Sequence, residues 1–133
     1  MESLCELIKE AHKQEFNCLY WALKCWGSVC MDFKDLDEAI KVFTRLKHEC
    51  QDKMMYRHKM VTYKQLGYVY RLQKEHLKAT NCFKKFLQLS WFNEDIGAEI
   101  EAYESLSIDY FYMGKLDKAT YYDQKYKYGE FED

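Results

Sequence analysis

Proline is absent from the 133 residues, and glycine occurs only five times. Without proline nothing forces a break, so long helices are permitted everywhere, and turns must rest on Asp, Asn and the few glycines. A dominant sign of charge is missing too. Twenty Lys and Arg face 22 Asp and Glu, a net charge of −2 with the signs interspersed. That leaves no basic stripe for nucleic acid and no polybasic run for an anionic membrane. The six cysteines contain no Cys-x-x-Cys. Cys18 and Cys25 lie about 10 Å apart along a helix, beyond the roughly 7 Å that a disulfide spans between Cα atoms. His12, His48, His58 and His76 form no i, i+4 ligand pair, and His48-x-Cys50 stands alone. No metal and no cofactor is expected, and the cysteines read as small core residues of a reducing compartment.

Long uncharged runs are lacking as well. Glu2, Glu6, Lys9 and Glu10 interrupt any signal-peptide-like start. The stretch Phe16 to Phe33 is apolar, but Asn17, Lys24, Ser28 and Asp32 punctuate it. A central Lys costs about 2.5–3.5 kcal/mol on insertion scales, so the segment reads as a helix buried on two sides. A soluble, cytoplasmic protein without membrane insertion is expected. Catalytic signatures are equally scarce: there is no Gly-rich phosphate loop, no Gly-x-Ser-x-Gly and no His-Glu-x-x-His. Glu101 and Glu104 fall on a solvated helix face, without the burial that would tune a general acid or base. The chain is not expected to be an enzyme.

What the sequence does contain is a core and a repeat. Apolar residues make up 48% and aromatics 17%, enough to bury a core. Ala39, Ala79 and Ala119 recur every 40 residues within three rows. These are Leu23-x-x-Trp26-Gly27-x-x-Cys30 with Leu36, Ala39 and Phe43; Tyr63-x-x-Leu66-Gly67-x-x-Tyr70 with Ala79 and Phe83; and Tyr103-x-x-Leu106-Ser107-x-x-Tyr110 with Gly114, Leu116 and Ala119. A period of this length points to stacked units rather than one enclosed core.

Within each row the apolar spacing is helical, with a polar break between two helices. Gly114 suits the left-handed residue that ends a helix. Asp35-x-x-Glu38 reads as a capping box, and Cys50-Gln51-Asp52 and Asn93-Glu94-Asp95 offer caps for the helices that follow. The pattern predicts helices near 2–12, 14–32, 36–51, 54–73, 76–91, 94–113 and 116–128. The units are 14–53, 54–93 and 94–133. Residues 1–13, with the stripe Leu4, Leu7, Ile8 and Ala11, have the phase of the second helix of a preceding unit. Gly27, Gly67 and Ser107 are then small where the paired helices cross, and the three alanines are small on the opposite side.

These rows resemble the tetratricopeptide repeat, in which a bulky residue, Leu-Gly and Tyr on one helix are followed by Ala and Phe or Tyr on the next. The middle row carries the motif best, with Tyr63, Leu66, Gly67, Tyr70, Ala79 and Phe83. The first departs with Trp26 for Leu and Cys30 for Tyr. The third departs with Ser107 for Gly and Asp123 for the aromatic, Tyr122 standing beside it. The family's basic repeat is 34 residues, so the 40-residue spacing is similar to its longer-repeat branch of polarity and spindle scaffolds and ciliary proteins. The resemblance implies an all-α fold, a right-handed superhelix of antiparallel helix hairpins with about seven helices in a single array.

It also implies a function. The first helices of such hairpins line a concave groove that binds protein segments, and the ligand-facing positions fall on Trp21, Lys24, Ser28 and Met31; on Val61, Lys64, Tyr68 and Arg71; and on Glu101, Glu104, Ile108 and Phe111. Cations in two rows and carboxylates in the third suit a peptide or helix of mixed charge. The carboxylate clamp of chaperone-binding members, made of Lys, Asn, Asn, Lys and Arg, maps to Lys24, Ser28, Gln65, Glu101 and Ser105, of which only Lys24 agrees. That activity is not expected. Helical-repeat RNA readers need cationic grooves along every row, which the acidic third row denies. At the C-terminal end Tyr121, Tyr122, Tyr126, Tyr128 and Phe131 exceed what one helix face can bury, and this end is expected to take further chain or to self-associate. The function implied is a scaffold or adaptor for a protein or peptide partner. Two alternatives stand beside it: a structural subunit of a large assembly such as a ciliary axoneme, with a cytoskeletal or ciliary location, and a regulatory subunit associated with an enzyme.

Overall fold

The 40-residue spacing of the sequence reappears in the helix starts. A computed structural model describes residues 2–52 and 55–128, with side chains at 6–7, 14–50 and 55–127. Among the described residues there are six helices: α1 (Glu2–Asp32), α2 (Leu36–Asp52), α3 (Tyr56–Leu72), α4 (His76–Phe92), α5 (Ile96–Tyr112) and α6 (Leu116–Tyr128). Helices α2, α4 and α6 start at Leu36, His76 and Leu116, and α3 and α5 at Tyr56 and Ile96. No strand occurs among the described residues. Each helix packs mainly on its neighbours in sequence, giving a stack of hairpins. The segments 2–12 and 14–32 are one uninterrupted helix, not two. Lys13, Gln14 and Glu15 at the expected break are good helix formers, and no capping residue or glycine stops the chain there. Of the stripe at the start of α1, Leu7 is exposed, and the side chains of Leu4, Ile8 and Ala11 lie outside the described residues.

Four turns share one design. At the end of α1 the Asp35 amide donates to the Cys30 carbonyl and the Lys34 amide to the Met31 carbonyl. This six-to-one and five-to-two pair is the Schellman closure. The same bonds join Glu75 to Tyr70 and Lys74 to Arg71, Asp95 to Ser90 and Glu94 to Trp91, and Lys115 to Tyr110 and Gly114 to Phe111. The residue in the left-handed region is Lys34 (φ 62°), Lys74 (φ 63°), Glu94 (φ 55°) or Gly114 (φ 77°). Only the fourth turn uses glycine. Asp95 caps α5, its Oδ1 accepting from the Ala98 amide at 3.0 Å, and Asp35 Oδ1 lies 3.4 Å from the Glu38 amide. The cap expected at Cys50-Gln51-Asp52 is not at the position that precedes α3. Those residues complete α2, and α3 starts after Met55, which makes no side-chain cap bond.

The repeated small residues explain how the hairpins close. A Cβ on Gly27 would stand 2.5 Å from Phe43 Cζ, and one on Gly67 2.6 Å from Phe83 Cζ. Each phenyl ring therefore presses its Cζ end onto a helix backbone bared by glycine. Ala39 and Ala79 are fully buried on the partner helix, and Ala119 nearly so. Two clusters result. One gathers Phe16, Tyr20, Ala39, Phe43, Leu46, Leu66 and Val69, and the other Phe83, Phe86, Ala102, Tyr103, Leu106 and Tyr110. The core is a row of such clusters along the stack.

Candidate interaction surfaces

Side-chain bonds between α3 and α5, and between α1 and α3, place the first helices of the hairpins side by side. His58 Nε2 is 3.1 Å from Asn17 Oδ1, and its ring packs on Tyr20 at 4.2 Å. Lys64 Nζ is 3.7 Å from Glu101, and the Tyr68 hydroxyl donates to the same carboxylate. Burial, then the bond to Glu101, pushes the Tyr68 hydroxyl up to about 12. Two large side chains on this face remain open: Trp21, 55% exposed, and Phe111, 60% exposed. Lys24 Nζ sits 4.7 Å over the Trp21 ring. Ser28, Met31, Val61, Glu104 and Ile108 are half-buried.

Arg71 does not present its charge to solvent. Its guanidinium grips the carboxylate of Asp109, with Nη2 to Oδ2 at 3.0 Å and Nε to Oδ1 at 3.2 Å, and Nη2 also donates to the Ser105 carbonyl. Asp109 is fully buried, and its Oδ1 also receives His76 Nδ1 at 2.8 Å. The His76 ring stacks on Tyr112. Arg71 lies over the faces of Phe83 and Tyr68. A carboxylate taken out of water needs this full set of partners. The expected split between Lys64/Arg71 and Glu101/Glu104 is thus largely cancelled within the protein. Asp109 and His76 escaped the sequence reading, although a charge between Ile108 and Tyr110, in register with Val29 and Val69, is a visible signal.

The C-terminal hairpin departs from the other two. Tyr122 turns inward and stacks on Tyr110 at 5.7 Å with the rings 4° from parallel, and on Tyr103 at 6.3 Å. Moving the aromatic from 123 to 122 rotates it by about 100° around α6, so Tyr122 packs on Tyr110 and Tyr103 and leaves Asp123 at the position facing Ser107 in the repeat. The Ser107 hydroxyl donates to the Ala119 carbonyl at 3.0 Å. The space left joins an open groove of about 500 Å³ lined by Ser107, Ile108, Phe111, Leu116, Thr120 and Asp123, among others. Leu116 is 59% exposed there. Tyr121 and Tyr126 are also exposed. A hydrogen bond to Glu104 raises the pKa of the Tyr126 hydroxyl. The Tyr128 side chain and Phe131 lie outside the described residues.

Among the described residues no cluster of three or more His, Cys, Asp or Glu is placed to hold a metal ion, and no helix is long and apolar enough to cross a membrane. No family model matches the sequence, and no curated protein matches it. Among solved structures the chain is similar to the crystal structure of the tetratricopeptide-repeat domain of Arabidopsis FLU. The two are 18% identical with a TM-score of 0.77, over 81% of this chain and 91% of that one. The likeness shows the fold: an all-helical stack of the tetratricopeptide type.

Proposed function

We propose that this chain is a protein-interaction scaffold of units 14–53, 54–93 and 94–133 that takes a peptide or helix of a partner along α1, α3 and α5. The fold is of a kind that typically serves as a non-enzymatic binding module, and the open pair Trp21 and Phe111 carries the reading. Large aromatics are the side chains most often found as binding anchors. Here they stand on the first and third rows, on either side of a middle row whose Lys64 and Arg71 are already paired. Such a surface selects a partner by two apolar anchors and a neutral, hydrogen-bonding centre, rather than by net charge. Arg71 is structural in this reading, so the residues to vary are Trp21 and Phe111.

The test is to select peptide ligands from a displayed library against the whole chain and to measure affinity in variants. Trp21→Ala and Phe111→Ala should each weaken binding about tenfold or more, the size of an anchor residue. Tyr121→Ala should leave it unchanged. Ligands that ignore both anchor changes would refute the groove reading.

A further inference from the structure

The two seams inside the stack follow a rule that the open faces of α1 and of the α5–α6 hairpin also satisfy. At the first seam Met31, Leu36 and Ile40 belong with Val69 to one apolar cluster, and Val69 is fully buried. At the second seam the residues 40 positions on are Arg71, His76 and Thr80, and the residue matching Val69 is Asp109. There the seam is polar, with Arg71 and His76 both bonded to Asp109. The chemistry on the two sides changes together.

The third set, Phe111, Leu116 and Thr120, lines the open groove of the α5–α6 hairpin and has no helix over it among the described residues. It has returned to apolar side chains at its first two positions. On α1 the residue matching Val69 and Asp109 is Val29, which is 41% exposed. Trp26 is 52% exposed, whereas its counterparts Leu66 and Leu106 are buried. Ala22 is likewise exposed, and its counterparts Thr62 and Ala102 are buried. The chain thus carries both halves of a third seam, with Ala22, Trp26 and Val29 as the apolar residues of one and Phe111 and Leu116 as those of the other.

We infer that the occupant of the α5–α6 groove is α1 of a second copy of this chain, docked head to tail in the register that α3 takes on α1–α2. Val29 of the incoming copy then meets Phe111 and Leu116, as Val69 meets the Met31, Leu36 and Ile40 side. Tyr112 lies on His76 at the second seam. The same register sets Asp32, 40 positions before Leu72, at Leu116 on the edge of the groove, next in sequence to the oppositely charged Lys115. Asp109-type polarity in an incoming helix would be rejected, because nothing on this groove replaces Arg71 and His76. A contact between two different faces repeats, so the product is a chain of copies or a closed ring. This goes beyond peptide recognition and shares only Ile108 and Phe111 with the peptide surface, so Trp21 and Leu116 separate the two.

Sedimentation equilibrium of the full chain over a wide concentration range tests it with two variants, Val29→Glu and Leu116→Glu. Both positions are exposed in the single chain, and far-UV circular dichroism checks that both variants keep their helices. The wild type should grow past the dimer with concentration, and each variant alone should stay at the monomer mass. Mixed one to one, the variants supply one intact groove and one intact α1 face, so the mixture should reach twice the monomer mass and stop. Binding of selected peptides through Trp21 is read separately. A wild type that stays monomeric, variants that assemble like the wild type, or a mixture that remains monomeric each overturns the head-to-tail assignment.

Discussion

Replacing Gly67 by alanine puts a methyl carbon 2.6 Å from Phe83 Cζ and 2.7 and 2.9 Å from the two Cε atoms. Relaxed carbon contacts lie near 3.5–4.0 Å, so the ring must withdraw by about an ångström. Phe83 is fully buried between α3 and α4 and has no solvent to retreat into. Overpacking of this kind costs about 1–3 kcal/mol. Alanine returns about 1 kcal/mol of helix propensity over glycine, so Gly67→Ala should lose about 0–2 kcal/mol net, about 1–3 kcal/mol worse than an unstrained helical glycine would show. Gly97 is the control: its added Cβ would find nothing nearer than Asp95 Oδ1 at 3.6 Å, and Gly97→Ala should gain about 0.5 kcal/mol. Urea unfolding followed by far-UV circular dichroism reads both. In a Phe83→Leu background the cost of Gly67→Ala should shrink, since the branched side chain leaves the space that the ring filled. If Gly67→Ala gains stability as Gly97→Ala does, the ring does not rest on the glycine and the crossing argument fails.

Lys74→Gly and Glu94→Gly should each stabilise the chain by about 0.5–1 kcal/mol, because both residues hold positive φ against their own Cβ; thermal unfolding checks this, and a loss would contradict the turn geometry. Arg71→Met leaves the buried Asp109 carboxylate with His76 alone and should cost about 3–5 kcal/mol, read as a fall in the urea midpoint. Tyr20 and Tyr68 are both pushed from 10.0 to about 12, chiefly by burial. The folded state therefore holds protons that the unfolded chain releases. Stability contributed by these groups is complete below pH ~10 and is lost as the pH climbs to ~12. Tyr20→Phe should flatten that decline, and an unaltered alkaline limb would sink the assignment for Tyr20.

Much of the architecture was legible in the residues because small and aromatic side chains repeat where backbones cross. Gly27 with Phe43 and Gly67 with Phe83 give the hairpin contacts directly. The turns were harder to read. Lys34, Lys74 and Glu94 carry no sign of a left-handed backbone, since the hydrogen bonds around them, not the side chain, hold that conformation. The continuous α1 follows from an absence of stop signals at 13–15, which a pattern built on three equal rows hides. The surface was read least well. Arg71 looks like a free cation until folding brings Asp109, 38 residues on, against it. The exchange of aromatic and acid at Tyr122 and Asp123 was visible, but the groove it helps open depends on where α5 lies.

Backbone amide shifts on addition of a selected peptide ligand locate the partner on the molecule. With the partner along α1, α3 and α5, the largest shifts fall within 21–31, 61–71 and 101–111, with Trp21 and Phe111 at the two limits of the contact. Shifts concentrated on α2 and α4, with those three segments unmoved, would contradict that placement.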